Sequence, residues 1–589
     1  MPAPQRLLPP VETRHFLLAL ALLSAAVAAL CAPRTAVAQE TGEGAEAGED
    51  VGGFMESVDT EIVNIDVWVT DRDGGPVEGL SRDDFLVFRD GEGVPISNFY
   101  AVAGGVPVGE APPQPLPDAP GRSAVELERL GVGSDIAPQH RLWLIVFIDN
   151  YNIDPIERNR VLPGVRRFLG QTLRPGDRAM LVTYDRGLKV RQPFTDRRDE
   201  IFAQLDEITE ESGLATIRRR DRLEALERID KSRRPTEALL AARNYAEEQM
   251  NSVEYTIDAL ERLVNSLGGL PGRKALVHVS SGIPRLAGEE LFQAAAVKWD
   301  YAEAYAEIPR HDTTRSFERA MRYANTHRVV FYTLDAGGLR GLEFGAAEYG
   351  TFVSPKLRTT LDSVVPENLQ SSLRLMADET GGRAIVNRNE VLPALEEAAQ
   401  DFASFYSLGI VSDGVSSGRY HDIEVELKAE RRGVQIRHRA GYRSKSQQTK
   451  MRESLRSALL YAHQTNPLGL DVRWGTPEPH DDDSWLVPIQ LRLPLRDLVL
   501  LPLGGKRELK LELYVGAAGD QGEISEIDLV PLGLRIAEEN VEAALDESFV
   551  YVHKLVTSPG RKKIGLAILD VFGRQSSIRT GFLDVGPGG

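Results

Sequence analysis

Asp149, Asn152 and Asp154 put three oxygen-bearing side chains directly after the apolar run Leu142–Ile148. A continuous apolar run of that length reads as a central strand buried on both faces. Asp154 followed by Pro155 supplies an N-cap and a first-turn proline for a helix. The polar groups therefore gather where a strand hands over to a helix, at the carboxyl edge of a parallel sheet, which is the usual ligand crevice of that architecture.

Other chemistry has weaker support. No His/Cys grouping has zinc spacing. Gly268-Gly-Leu-Pro-Gly-Arg-Lys274 lacks the Gly-Lys-Ser/Thr of a phosphate loop and precedes a strand instead of following one, so it reads as a turn. Ser280 and Ser281 lie outside any Gly-x-Ser-x-Gly elbow, and no His/Asp arrangement marks them as nucleophiles. The carboxylates of Glu478–Asp483 suit weak Ca²⁺ binding, but a solvated loop is the simpler reading. The site points to binding, and no catalytic residue is assigned.

Size and charge narrow the class. A chain of 589 residues exceeds a single core and implies roughly three to five folded units. Its net charge of −18 argues against nucleic-acid or anionic-membrane partners, which need a clustered positive face. Arg14 and His15 precede the apolar run Phe16–Leu30, and Ala36-Val37-Ala38 offers small residues for cleavage, so residues 1–38 read as a secretory signal peptide. That run is shorter than the roughly 20 residues a bilayer span needs. The mature chain is expected to have no transmembrane segment and to be exported, to the periplasm or beyond the cell. Cys31, the single cysteine, falls in the removed segment, leaving no disulfide. Lipid anchoring through Cys31 is the weaker reading, because Leu30 stands where a small residue is wanted.

The expected organisation follows from composition and periodicity. Residues 39–57 form an acidic linker and 58–103 a small β module, with Val63, Ile65, Val67 and Val69 on one face of its first strand. A proline-rich linker spans 104–138. From 139 to 445, strands alternate with amphipathic helices, the pattern of an α/β doubly wound parallel sheet. Its strands are placed at Leu142–Ile148, Arg178–Tyr184, Ala275–Ser280 and Val329–Leu334. A charged helical insertion near 208–235 carries Arg218-Arg-Arg220, Arg222 and Arg228 among acidic residues. It reads as a solvated helix laced with salt bridges, or else as a basic docking surface. Residues 446–589 are expected to form a helical linker and a C-terminal β-sandwich.

The strand ending in Asp149, Leu173-Arg-Pro-Gly-Asp177, Val182-Thr-Tyr-Asp185, Gly272-Arg-Lys-Ala-Leu276 leading to Ser280-Ser-Gly282, and Thr380-Gly-Gly382 together resemble a von Willebrand factor type A domain. With Val67-Trp-Val-Thr-Asp71, Phe405-Tyr-Ser-Leu-Gly409 and Arg439-Ala-Gly-Tyr442, the chain resembles bacterial VWFA-related secreted proteins from about Ile62 to Arg443. The resemblance implies an adhesion site holding Mg²⁺ or Mn²⁺ through oxygens, with an open position for a partner's carboxylate. Asp149 matches its first Asp and Thr236 its Thr, which makes these two the metal candidates. Tyr151 and Ile153 replace its two serines and Ser281 its later Asp. The site is therefore degenerate, although Asn152 and Asp154 offer oxygens to a rearranged one, and Asn152, Asp154 and Ser281 are the ligand-binding candidates.

The leading expectation is an exported, non-enzymatic binding or scaffolding protein with an extracytoplasmic protein partner. The alternatives are an enzyme or accessory subunit acting on cell-envelope polymers, and a purely structural envelope protein.

Overall fold

A computed structural model describes residues 62–108, 141–213, 215–339, 355–412, 418–429, 432–519 and 522–586. The expected signal peptide, Cys31, the acidic linker and nearly all of the proline-rich linker lie outside these residues. All described residues belong to the unit Asp59–Gly589.

Strands β1 (Ile62–Thr70), β2 (Phe85–Arg89), β3 (Glu92–Val94), β4 (Ile96–Ala103) and β5 (Val106–Val108) come first. The central sheet follows, with β6 (Leu142–Ile148), β7 (Arg178–Tyr184), β8 (Leu188–Thr195), β9 (Arg273–Ser280), β10 (Val329–Asp335) and β11 (Ala384–Ile385). Its order is β11-β10-β9-β6-β7-β8. All neighbours are parallel except β8, which runs antiparallel on the edge. Helices α1 (Pro155–Thr172), α2 (Arg198–Thr209), α3 (Ala215–Lys231), α4 (Pro235–Ser266), α5 (Glu289–Trp299), α6 (Thr314–Thr326), α7 (Pro355–Thr380) and α8 (Leu392–Ala403) surround it.

Both faces of this sheet are covered, which is why β6 is apolar at every position. Leu144, Val146 and Ile148 pack against α1, α2 and α8. Trp143, Ile145 and Phe147 pack against α4, α6 and α7. Each such side chain, fully buried, contributes roughly 1.5–3 kcal/mol.

The expected module 58–103 does not close on itself. β1 lies between β12 (Phe405–Val411) and β14 (Gln435–His438), and β12 also pairs β4. Likewise β2 pairs β13 (Tyr420–Leu427), which pairs β15 (Gly441–Arg443). The two sheets enclose one core around Ile65, Phe85, Tyr406 and Leu408. Residues 405–443, assigned from sequence to the parallel-sheet domain, thus complete a sandwich begun by residues 62–108. Val106–Val108 also extends strand structure into the stretch expected to be linker.

That sandwich is tied to the central sheet through Asp401 on α8, which is 2% exposed. Its carboxylate accepts two bonds of 3.0 Å from Arg383 and one of 2.7 Å from Arg437 of β14. Its carbonyl accepts from the Trp68 indole at 2.9 Å. Arg328, preceding β10, reaches Asp66 at 3.2 Å.

The C-terminal region is β-rich. Strands β18 (Trp485–Pro494) and β22 (Ser548–Thr557) form one sheet with the short β16 (Asp471–Trp474) and β17 (Glu478–Pro479). A second holds β19 (Leu501–Leu503), β20 (Lys506–Ala518), β21 (Asp528–Ala537), β23 (Gly560–Asp570) and β24 (Gln575–Val585). Alternate residues of β18, β20 and β23 share the core between them. Residues Glu478–Asp483 lead into the turn before β18, where Asp481, Asp482 and Asp483 are exposed.

The helix expected as a linker, α9 (Gln447–Tyr461), is packed on both sides. Met451, Leu455, Ala458 and Leu459 meet Tyr514, Ala567 and Leu569 of the sandwich. On its other side Ser457 donates to Ser266 O at 2.9 Å and accepts from Gly269 N at 3.1 Å. A Cβ on Gly269 would lie 2.2 Å from the Glu453 carbonyl oxygen, so the glycine-rich turn before β9 is a helix-docking surface. His463 meets the Trp143 ring edge-on at 5.6 Å. His327 takes a 2.9 Å contact from Lys445 at Nδ1 and meets Asn265 at Nε2.

Two predictions follow from these seams. Asp401→Ala strands two guanidiniums and is expected to cost about 3–5 kcal/mol, read as a lower urea midpoint of intrinsic tryptophan fluorescence. Burial, reinforced by neighbouring cations, pushes His327 down to about 3 and His463 to about 4. The unfolded chain then binds protons near pH 6.5 that the folded chain cannot, so stability is full above 6.5 and falls as pH drops toward 4. Thermal melts between pH 7.5 and 5 are expected to show this loss, and His463→Phe to reduce it.

Candidate functional site

The loop after β6 is stapled by its backbone before any side chain acts. Asp149 N donates to Val279 O at 2.9 Å, Tyr151 N to Tyr184 O at 3.0 Å, and Ser281 N to Asn152 O at 3.1 Å. These bonds pull the ends of β6, β7 and β9 into one edge. Asp154 then caps α1, accepting from Ile156 N at 2.9 Å, as its position before Pro155 predicts.

Asp149 is fully buried. Its Oδ1 accepts from Asn152 N at 3.1 Å, and its Oδ2 accepts from Asn152 Nδ2 at 2.8 Å and Ser280 Oγ at 3.2 Å. His278, also fully buried, places Nε2 3.5 Å from Oδ2. Asp149 is thus an internal brace behind Asn152.

Asn152, Asp154 and Ser281 do converge on one open cleft, whose space of about 740 Å³ includes the solvent at its mouth. Ser281 Oγ donates to Glu157 Oε2 at 2.5 Å. The opposite wall is α3, which brings in Arg218, Arg219 and Arg222. Arg218 donates to the Asn152 Oδ1 and to Tyr151 O at 3.2 Å, and Arg219 lies 3.5 Å from Asp154. Glu290 is buried at the same cleft. Burial raises its carboxyl above the usual range, against the pull of Arg222 and Arg218. Thr236 does not join them. It is exposed on the first turn of α4, beside Glu237, which is engaged by Arg234 at 2.8 Å.

The charged insertion is therefore neither a purely solvated helix nor a separate patch. Ala225, Leu226 and Ile229 bury its apolar face against α4 and α5, and its arginines wall the site. Sequence reading noted both Tyr151 and these arginines without joining them. Their signal was an aromatic inside a polar loop and a run of arginines on a neighbouring element. It also missed Arg158, fully buried, which donates to Asn150 Oδ1 at 3.1 Å and Glu211 O at 2.6 Å beneath the loop.

The residues present do not fit a divalent ion. Both Asp149 oxygens already accept hydrogen bonds, a guanidinium sits on the Asn152 oxygen, and Thr236 is not among the residues lining the cleft. Among the described residues no group of three or more His, Cys, Asp or Glu is placed to hold a metal. Nor is any helix among them long and apolar enough to cross a membrane.

No family model and no curated protein matches the sequence. Similar solved structures include the conserved hypothetical protein BatB from Bacteroides thetaiotaomicron, 11% identical, covering 44% of this chain and 96% of that one with a TM-score of 0.21. Three N-terminal domains of the type V pili tip protein Mfa5 from Porphyromonas gingivalis are 7% identical, over 89% of this chain and 77% of that one, with a TM-score of 0.21. Neither likeness defines this chain's function.

Asp149→Ala removes the acceptor for two donors of Asn152 and one of Ser280. It is expected to lower stability by about 1–3 kcal/mol in denaturant titration. Millimolar Mg²⁺, Mn²⁺ or EDTA is expected to leave the wild-type melting temperature unchanged, whereas a resident ion would shift it.

Proposed function

We propose that this chain is an exported, non-enzymatic binding or scaffolding protein whose type A-like parallel-sheet domain offers its carboxyl-edge cleft to a protein partner. One observation carries the reading: Asn152, Asp154 and Ser281 come together in a cleft at the ends of β6 and β9. The residues that dock the two β assemblies, among them Arg328 and Trp143, stand at the opposite ends of the strands. Among the described residues no histidine or cysteine lines the cleft, and its serine donates to a carboxylate, so these side chains favour recognition over turnover. Export rests on the apolar segment Phe16–Leu30.

The test is photocrosslinking in the producing cell. A photoreactive residue replacing Ile217, 45% exposed beside the cleft, is expected to capture a discrete extracytoplasmic protein. The same residue at Phe582, 64% exposed on the C-terminal sandwich, is expected not to. Equal capture at both positions, or turnover of an envelope polymer by the purified chain, would count against the reading.

A further inference from the structure

Next to the cleft described above, and sharing Arg218 with it, is a second one of about 550 Å³. Its floor is Tyr151, the residue that stands where the type A pattern has a serine. The Tyr151 hydroxyl donates to Ser252 Oγ at 3.0 Å, which fixes the ring. Two guanidiniums lie over that ring, Arg218 at 4.9 Å and Arg186 at 5.7 Å from its centroid. Arg186 is held there in the tight turn between β7 and β8, with φ of 57°.

Among the described residues no carboxylate contacts either guanidinium directly, although the buried Glu290 feels the charge of Arg218. Arg218 has neutral polar partners, the Tyr151 carbonyl and the Asn152 side chain. Among the described residues neither arginine forms an ion pair, whereas Arg219, Arg220 and Arg228 on the same helix each have one. Two cations sharing one aromatic platform repel each other, and an anion placed between them relieves that repulsion. A planar carboxylate suits the guanidinium fork and gains charge-assisted hydrogen bonds. Two acids also line the cleft. Asp221 is 3.4 Å from Arg220, and exposed Glu248 opposes an incoming anion.

We infer that this cleft is a metal-independent carboxylate receptor, in which Arg186 and Arg218 clamp an acidic side chain of the partner polypeptide over Tyr151. The two arginines do the work that a bound cation does in a metal-dependent adhesion site. This inference rests on the protein-binding reading above and names the chemistry of the ligand.

The probe is fluorescein-labelled hexaglutamate, followed by anisotropy with the full mature chain in EDTA, with hexaglutamine as the control. Hexaglutamate is expected to bind and hexaglutamine not, with Mg²⁺ leaving the affinity unchanged. Arg218→Gln and Arg186→Gln are each expected to weaken binding about tenfold, the scale of one lost charged hydrogen bond. Glu248→Gln is expected to tighten it severalfold. Because Arg218 also braces Asn152, Arg186→Gln is the cleaner variant: Arg186 is exposed and lies over the Tyr151 ring. Binding that needs Mg²⁺, that hexaglutamine matches, that ignores Arg186→Gln, or that inorganic phosphate displaces more readily than glutarate overturns the assignment. If Ile217 captures a partner but hexaglutamate does not bind, the carboxylate receptor falls and the protein-binding reading stands. Failure of both removes both.

Discussion

The structure depends on how the buried Asp401 carboxylate is shared. It accepts from Arg383, which leads into β11, and from Arg437 of β14, while the carbonyl of the same residue holds the Trp68 indole of β1. Arg437 also donates to the carbonyls of Gly381 and Gly382 at the end of α7. A carboxylate this deeply buried is tolerable only with both cations in place. The network therefore specifies one arrangement of the N-terminal strands, the closing strands and the central sheet.

That arrangement has a consequence for the site. Arg273 and Arg328, at the starts of β9 and β10, face the sandwich, with Arg273 4.0 Å from the Phe405 ring centroid and Arg328 on Asp66. Trp143 and Gly269 face α9 and the segment after it. The amino ends of the strands are thus committed to packing. At the carboxyl ends the backbone carbonyls and side chains meet α3 instead, whose polar face supplies guanidiniums. Asp149 is spent on holding Asn152, and Asn152 is spent on holding Arg218. The polar groups that a cation would need are already satisfied by protein donors.

Much of the secondary structure was legible because periodicity reports burial directly. The run at β6 is apolar at every position since both faces are covered, and β18 alternates since one face meets a core. Asp154 and Pro155 announced the start of α1 by local chemistry alone. The strand pairings were not legible. Ile62 pairs with Val411 and Phe85 with Leu427, and alternation states only that a strand has a buried face, never which distant strand will cover it. For the same reason α9 read as a linker, since its apolar stripe names no partner.

The site divides in the same way. Sequence by itself determined the Asp149–Asp154 loop, its position at a strand end and the presence of Tyr151 and Ile153 within it, because these are properties of adjacent residues. Only the tertiary structure decided that Ser281 joins Asn152 and Asp154, that Thr236 stays apart, and that Arg186 and Arg218 come to rest over Tyr151. Those outcomes depend on how α3 packs against α4 and α5 and on which strands lie side by side, and electrostatic interactions of this kind act through distances in space that spacing along the chain does not encode.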